Sequence, residues 1–370
     1  MNSTLFSSIT LRDVTLENRI MVSPMCQYSA DNGCASDWHL MHLGQFAVSG
    51  AGLVMVEMTN VEPRGRISPY CMGLYSDENE QALSRVVQFC RRYGNSKLGV
   101  QIAHAGRKGS TLPPWQDRKP LTVGEGGWQT VAPSAIATSE HAPVPKALEQ
   151  AELPAMKDAF VSSVGRAARI GFDVIELHAA HGYLLHEFLS PLSNQREDDY
   201  GGTLENRMRF PLEVFSAMRD AWPKEKPLGV RVSATDWADG GWTPEDTVRF
   251  AKELKIRGCD WIDVSSGGMV KNQTIPVGPS YQVPFAEQVR TQTGITTIAI
   301  GMITEARQAE EIIATGKADM VALARGMLYD PRWAWHAAAE LGGQASYPKQ
   351  YLRCRPWVRN DIFAEQEQAR

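Results

Sequence analysis

The order of segments along the chain predicts an α/β fold, a (β/α)8 TIM barrel with an N-terminal cap segment and an inserted lid after the third strand. Short β-rich segments alternate with longer amphipathic segments. The β-rich segments are apolar on both faces, as expected for strands that lie between outer helices and a barrel interior. No G-x-G-x-x-G sequence occurs, which disfavours the main alternative, an open doubly wound sheet that binds a dinucleotide.

The predicted barrel strands span residues 19–23, 52–57, 98–103, 172–178, 228–232, 261–264, 296–300 and 320–323. The predicted helices span residues 38–49, 77–93, 153–170, 203–221, 244–258, 281–293, 304–316 and 331–341. Ser76 and the Thr243-Pro244 pair are helix start signals, whereas Gly94 and Gly171 stand where helices should stop.

One segment does not fit the alternation. Residues 106–150 are rich in Pro, Gly and Trp, and a segment this long without regular structure is usually functional. We therefore expect an insertion that covers the barrel mouth. The whole chain, 1–370, is expected to form a single domain with a C-terminal tail at 346–370.

Composition excludes several classes of function. The 370 residues carry a formal net charge of −4 and are 43% hydrophobic, which disfavours nucleic acid or an anionic membrane as a partner. The N-terminus lacks the pattern of a signal peptide, and no apolar run approaches the roughly 20 residues that span a bilayer. The six cysteines form no C-x-x-C pair, so we expect reduced thiols and a cytoplasmic protein.

The run His178-Ala179-Ala180-His181-Gly182-Tyr183 follows the fourth predicted strand and is the strongest chemical signal. Two neutral imidazoles can donate hydrogen bonds to one substrate oxygen, and a phenol can deliver a proton nearby. Two alternatives remain open from the residues alone. The pair could bind a metal, for which the nearest carboxylates are Glu176 and Glu187, or it could be structural.

In a barrel, the ends of other strands would join this run at one face. Gly301 would let backbone amides approach an anion and Arg325 would supply charge, so together they suggest a phosphate site. Amide, thiol, Arg and His groups around a phosphate fit flavin mononucleotide better than a simple sugar phosphate. The candidates at strand ends are Cys26, Tyr28, Gln101, His104, Arg231, Gly301, Ala324 and Arg325.

Several long motifs resemble those of the Old Yellow Enzyme family of flavin-dependent ene-reductases, in particular its thermophilic-like bacterial subgroup, which includes xenobiotic reductase A. The resemblance spans roughly residues 5–357. The matching stretches are 16–20 (LENRI), 23–28 (SPMCQY), 101–108 (QIAHAGRK), 178–183 (HAAHGY), 187–191 (EFLSP), 200–207 (YGGTLENR), 230–233 (VRVS) and 301–303 (GMI).

The resemblance implies an FMN enzyme that NADPH or NADH reduces and that then passes hydride from flavin N5 to an electron-poor alkene or nitro compound, in ping-pong order. His178 and His181 would hold the activating oxygen, Tyr183 would donate the proton, and Cys26 and Tyr28 would tune flavin and substrate. The implied flavin contacts are Ser23, Pro24, Met25, Cys26, Met58, Gln101, Arg231, Gly301, Ala324 and Arg325.

The resemblance also implies a homodimer or homotetramer in which a C-terminal arginine reaches a neighbouring active site. Arg353 is preferred for this role over Arg355. One departure is Ala324, which replaces a usual glycine and should be tolerated if its φ is negative. His39 and His42 lie on a predicted helix and give no functional signal, and His104 is expected to support the site.

Three alternative functions stay open at this stage. The first is a metal-dependent barrel lyase or hydrolase that uses the histidine pair. The second is a flavin-binding protein without turnover. The third is a relative of the dienoyl-CoA reductases, although the chain lacks their cysteine-rich segment and further flavin domains.

Overall fold

A computed structural model describes residues 3–140 and 142–354. We number the strands in this part of the chain in order. They are β1 Ile9–Leu11, β2 Val14–Leu16, β3 Ile20–Val22, β4 Leu53–Asn60, β5 Lys97–Ala103, β6 Val131–Ala132, β7 Lys146–Ala147, β8 Val174–Ala179, β9 Leu228–Ser233, β10 Trp261–Ser265, β11 Thr296–Ala299 and β12 Met320–Leu323.

The α-helices in the same part of the chain lie between and after these strands. They are α1 Asp37–Ala47, α2 Asp77–Tyr93, α3 Leu153–Ile170, α4 Leu184–Leu189, α5 Leu204–Ala221, α6 Pro244–Ile256, α7 Val283–Thr293, α8 Ala306–Ala314, α9 Arg325–Tyr329 and α10 Trp333–Leu341.

Eight of the strands close a barrel in the order β3-β4-β5-β8-β9-β10-β11-β12, with β12 pairing back onto β3. All pairs within the barrel are parallel, so the carboxyl ends of the strands share one face. Helices follow the strands and cover the outside, as the repeating strand–helix order requires. The predicted TIM barrel is confirmed.

The β1–β2 hairpin forms the N-terminal cap. Its apolar residues Leu11 and Leu16 pack with Met55, Trp261 and other side chains at the amino-terminal end of the barrel. Leu16 is fully buried, and burying one leucine side chain stabilises a fold by about 1.5–3 kcal/mol. The hairpin therefore closes one end of the barrel and leaves the carboxyl face for chemistry.

Predicted element positions agree with the structure apart from their ends. The region predicted as one helix at 331–341 contains α10, which follows the separate short helix α9. Pro331 lies between them, and proline is unfavourable inside a helix because it lacks an N–H and clashes with the preceding turn. The six-residue helix α4 and the β1–β2 hairpin are too short to give a periodic sequence signal.

The segment 106–150 follows β5 and contains short 3-10 turns and the parallel β6–β7 pair. It is tied to the rest of the chain by side-chain hydrogen bonds. Trp128 Nε1 donates to the carbonyl oxygen of Arg64 at 2.8 Å, and Ser134 Oγ accepts the N–H of Gln195 at 2.9 Å. None of the helices described is long and apolar enough to cross a membrane.

Candidate active site

The two histidines of the fourth barrel strand meet at the carboxyl face. His178 is the penultimate residue of β8, and its Nδ1 accepts the N–H of Ala180 at 3.1 Å. Its Nε2 lies 3.3 Å from Nδ1 of His181, and Nε2 of His181 lies 2.7 Å from Oγ of Ser265. Because His178 Nδ1 is an acceptor, the ring proton of His178 lies on Nε2.

Both imidazoles are held neutral. Burial, and then the positive charge of Arg231, lower the pKa of His178 and of His181 well below the usual value. Arg231 is the register partner of His178 on the adjacent strand β9. A neutral imidazole keeps one N–H as a donor, which suits it to bind a substrate oxygen.

Tyr183 stands at the N-cap position of α4, directly after the histidine loop. Its ring lies 5.0 Å from that of His178, nearly perpendicular to it. Burial raises the pKa of Tyr183 well above the usual value, so the phenol keeps its proton at neutral pH. Tyr183 is therefore able to act as a proton donor beside the imidazole pair.

Cys26 and Tyr28 come to the same place from the loop after β3. Together with Tyr183 they pack against an apolar cluster that includes Met58. Tyr28 also meets Trp115 of the insertion edge-on, with ring centroids 5.7 Å apart. The structure therefore brings together all five residues expected to be catalytic.

Two of these residues have unusual backbone conformations. Tyr28 has φ 49° and His181 has φ 59°, in the left-handed region that non-glycine residues rarely adopt. The surroundings hold His181 there, since its N–H donates to Ser233 Oγ at 2.9 Å and its carbonyl accepts from Lys108 Nζ at 2.7 Å. Gly182 follows with φ 70°, and a Cβ there would lie 2.3 Å from the carbonyl oxygen of Gly268.

Lys108 lies in the stretch 101–108 that resembles the family, but no role is predicted for it from the sequence. Its Nζ donates to the carbonyl oxygens of His181 and Gly268, at 2.7 and 3.0 Å, and lies 5.3 Å from the centre of the Tyr183 ring. Burial, and then the charge of Arg118, lower the pKa of Lys108 to about 8. The signal available in the sequence was its position just after the third barrel strand.

Histidine–carboxylate pairs support three of the loops at the barrel mouth. In each pair Nδ1 of the imidazole accepts a backbone N–H and Nε2 lies close to a carboxylate oxygen. The pairs are His39–Glu57 (3.1 Å), His104–Glu62 (2.9 Å) and His186–Asp236 (3.0 Å), and the N–H groups belong to Ser36, Gly106 and Gly182.

These pairs hold the backbone next to the side chains that are predicted to be catalytic. Glu57 also accepts the N–H of Gln27, which lies between Cys26 and Tyr28, at 3.0 Å. Gly182 lies between His181 and Tyr183. The sequence predicted no function for His39 and did not point to His186, which is fully buried. Their carboxylate partners lie far away in sequence, so no local pattern links the two members of a pair. His104 has the supporting role expected of it.

The residues expected to bind FMN surround the barrel mouth. Met58, Gln101 and Arg231 are buried parts of β4, β5 and β9, and Ser23 is the buried residue after β3. Gln101 Nε2 donates to Glu176 Oε1 at 2.9 Å, and Arg231 Nε lies 3.2 Å from Asp263 Oδ2. Pro24, Met25 and Cys26 are partly exposed at the rim.

The acidic groups below this rim have altered protonation. Burial, and then Asp263, raise the pKa of Glu176 to about 7, although Arg231 opposes the rise. Burial also raises the pKa of Asp263, again opposed by Arg231. The positive charge of Arg231 therefore favours the ionised form of both carboxyls and lies between them and the barrel mouth.

The other end of the expected cofactor site fits a phosphate. Gly301 follows β11 with φ 112°, and a Cβ there would lie 3.0 Å from Nε2 of Gln282, so only glycine suits this approach. Ala324 has φ −103°, which bears out the expectation that a methyl group is tolerated. Arg325 is exposed, and among the described residues its side chain has no ion-pair partner. This donor set fits a flavin mononucleotide.

Two further predictions concern the C-terminal arginine and a bound metal. Arg353 is exposed in the last described turn, Lys349–Cys354, and Arg355 lies outside the described residues. No three His, Cys, Asp or Glu side chains lie together as a metal site within residues 3–140 and 142–354. Glu176 is engaged with Gln101 and Trp261, and Glu187 accepts the N–H of Arg107 at 2.9 Å.

At the mouth of a parallel barrel, this donor set beside neutral imidazoles and a phenol indicates a flavin-dependent oxidoreductase. A family model described as NADH:flavin oxidoreductase / NADH oxidase family matches residues 4–343. The chain belongs to this family. The membership confirms the resemblance to the Old Yellow Enzyme family, the FMN cofactor and an NAD(P)H-dependent oxidoreductase activity.

Similar proteins agree with this assignment. An "NADPH dehydrogenase" of Geobacillus thermodenitrificans is 46% identical over 355 residues, which are 95% of this chain and 99% of that protein. One of Listeria innocua is 46% identical over 353 residues, again 95% and 99% of the two chains. The structure of morphinone reductase superposes with a TM-score of 0.78 at 27% identity, over 94% of this chain and 92% of that chain.

A structure of 2-naphthoyl-CoA reductase shares the fold, with a TM-score of 0.83 at 21% identity. The match covers 92% of this chain and 52% of that chain, so this chain spans about half the length of that protein. This likeness concerns the fold alone.

Proposed function

We propose that the protein is an ene-reductase that uses NADPH to reduce activated C=C bonds of α,β-unsaturated carbonyl or nitro compounds. The observation that carries the proposal is the neutral pair His178 and His181 beside the protonated phenol of Tyr183. NADPH is preferred over NADH as the donor because the relatives at 46% identity are named NADPH dehydrogenases.

The residues that would hold the cofactor are those of the rim and the barrel interior. Gln101 and Arg231 would contact the ring system, and Arg325 with the backbone at Gly301 would bind the phosphate. Bound FMN supplies the hydride that the alkene accepts. Arg231 stabilises negative charge above the barrel, and Met25 and Met58 provide apolar contact.

His178 and His181 act on the activating oxygen of the substrate. Their N–H groups donate to the carbonyl or nitro oxygen, where negative charge grows as the β-carbon gains hydride. Donors fixed in advance stabilise such a charge by about 2.7–4 kcal/mol each in comparable oxyanion sites. Ser265 and Ser233 hold the His181 ring and backbone, so the donors need little reorganisation.

Tyr183 completes the reduction by protonating the α-carbon. Its phenol keeps the proton because burial opposes the phenolate. Cys26 and Tyr28 pack beside it, restrict the space above the rim and limit access of water. Lys108, through the carbonyl oxygen of His181, positions the loop on which the imidazole and the phenol stand.

The same proposal covers the domain organisation and the subunit assembly of the protein. The chain would act as one domain, with segment 106–150 over the mouth, in a cytoplasmic homodimer or homotetramer. Arg353 would contribute to a neighbouring active site. Its exposure at the end of the described chain leaves it free to do so.

The visible spectrum of the purified protein tests the proposal. A yellow protein should be bleached anaerobically by NADPH and regain its colour with cyclohexenone. A colourless protein that fails to bind added FMN, or a reduced protein that no activated alkene reoxidises, would contradict it. The second result would favour a flavin-binding protein without turnover.

A further inference from the structure

A cavity of about 530 Å³ opens beside Tyr183, between the insertion and the loop after β10. Its walls include Tyr183, Trp128 and residues 268–271. The volume lies within the range of pockets that bind small molecules. Any donor or substrate that reaches Tyr183 from this side passes through it.

The charges on the cavity wall are unbalanced. Among the described residues that line it, Arg107, Lys108, Arg118 and Lys271 are basic and Asp117 is acidic. Asp117 forms no ion pair with the described part of the chain, including its neighbour Arg118. A concave site that is lined mainly by positive charges attracts and concentrates anions.

Three of the four cations are engaged by the chain. Arg107 donates to the carbonyl oxygens of Ile136 and Met269, at 3.2 and 3.1 Å. Lys108 donates to the loop of His181, and Lys271 Nζ lies 3.3 Å from Ser139 Oγ. These contacts shape the cavity wall.

Arg118 differs from the other three. Its guanidinium forms no hydrogen bond or ion pair with any described residue, although the residue lines the cavity. Its positive charge also acts on the catalytic groups. Burial raises the pKa of Tyr28 and of Tyr183, and the charge of Arg118 opposes both increases. Arg118 and Tyr183 therefore line the same cavity, and the guanidinium is available to a ligand that enters it.

We propose that Arg118 binds an anionic group of the molecule that occupies this mouth, a phosphate or a carboxylate. The phosphate would belong to the nicotinamide dinucleotide, and the carboxylate to an anionic alkene substrate. A guanidinium binds both groups through paired, charge-assisted hydrogen bonds. This inference rests on the proposed function, because the cavity serves catalysis only if donor and alkene react at Tyr183.

The test compares FMN-loaded wild type with Arg118→Gln and Arg118→Lys. Lys119→Gln is the matched control, because it removes a neighbouring charge that pairs with Glu125 outside the cavity. Rapid-reaction reduction uses NADPH, NADH and N-benzyl dihydronicotinamide, which has no phosphate. Reoxidation of the photoreduced enzyme uses acetylacrylate, an anion, and its neutral methyl ester.

If Arg118 binds the donor phosphate, Arg118→Gln weakens NADPH and NADH binding about tenfold or more, the effect of losing one charge-assisted hydrogen bond. Reduction by N-benzyl dihydronicotinamide is then the same in Arg118→Gln and in wild type. If Arg118 binds the substrate carboxylate, the same loss appears with acetylacrylate and not with its ester. Arg118→Lys restores part of the affinity, and Lys119→Gln matches wild type.

Unchanged binding in both arms, or equal losses with charged and neutral probes, would overturn the role of Arg118. These results differ from a failure of the proposed function. In that case the wild-type protein itself would not be reduced by NADPH or would not be reoxidised by either alkene.

Discussion

The His186–Asp236 pair makes a quantitative prediction. Both side chains are fully buried, Nε2 of His186 lies 3.0 Å from Oδ1 of Asp236, and Nδ1 accepts the N–H of Gly182 at 2.9 Å. Asp236 also accepts the N–H of Trp242 at 2.8 Å. Although burial opposes it, His186 and the other donors lower the pKa of Asp236, so the carboxylate is ionised at neutral pH.

His186→Leu should lower the free energy of unfolding by about 3–5 kcal/mol, because the buried Asp236 carboxylate loses the N–H that faces it and is left as an uncompensated charge. The N–H of Gly182 loses its acceptor as well, which by itself costs about 1–3 kcal/mol. His186→Gln should lose about 1 kcal/mol or less, because its carboxamide can accept from Gly182 and donate to Asp236.

Urea denaturation of the FMN-loaded proteins measures these differences. The kcat with cyclohexenone should fall in His186→Leu and largely recover in His186→Gln, because the pair fixes the backbone between His181 and Tyr183. If His186→Leu does not fold, the isosteric Asp236→Asn removes the charge, replaces one acceptor oxygen by an N–H donor and should still destabilise. Equal stability of His186→Leu and His186→Gln would refute the reasoning.

The remaining predictions concern the loop from His178 to Gly182. His178→Ala combined with His181→Ala should weaken phenol binding, measured as the visible difference spectrum, and unchanged affinity would refute the oxyanion role. Because the folded-state pKa of both histidines lies below the unfolded value of about 6.5, stability should fall as pH falls below that value. The double His→Ala variant should flatten this slope in urea titrations at several pH values, and an unchanged slope would contradict the assignment. Gly182→Ala should destabilise more than Gly202→Ala, since both have positive φ but only Gly182 lacks space for a Cβ; equal losses in urea denaturation would exclude the steric contribution.

The sequence was sufficient to predict the barrel and to predict which side chains meet at its mouth. Strands that are apolar on both faces, such as β8, carry a clear signal, and the carboxyl end of each strand lies at one face of a barrel. His178, His181 and Tyr183 were therefore placed together correctly, and Cys26 and Tyr28 joined them as the family resemblance implied.

The supporting contacts could not be read from sequence patterns. His186 pairs with Asp236, which lies 50 residues further along the chain, and His39 pairs with Glu57 on a neighbouring element. Only the closed barrel brings the partners within hydrogen-bonding distance. The position of the Arg118 side chain on the cavity wall likewise depends on how the insertion folds.

The rates of the two half-reactions of Tyr183→Phe, measured separately, test the central claim most directly. Stopped-flow measurement should show reduction by NADPH at nearly the wild-type rate, because the phenol transfers no proton in that step. Reoxidation by cyclohexenone should be slowed by about 10²–10⁴-fold, the usual contribution of a positioned general acid. Wild-type rates of Tyr183→Phe in both half-reactions, or equal losses relative to wild type in both, would contradict a dedicated proton donor at Tyr183.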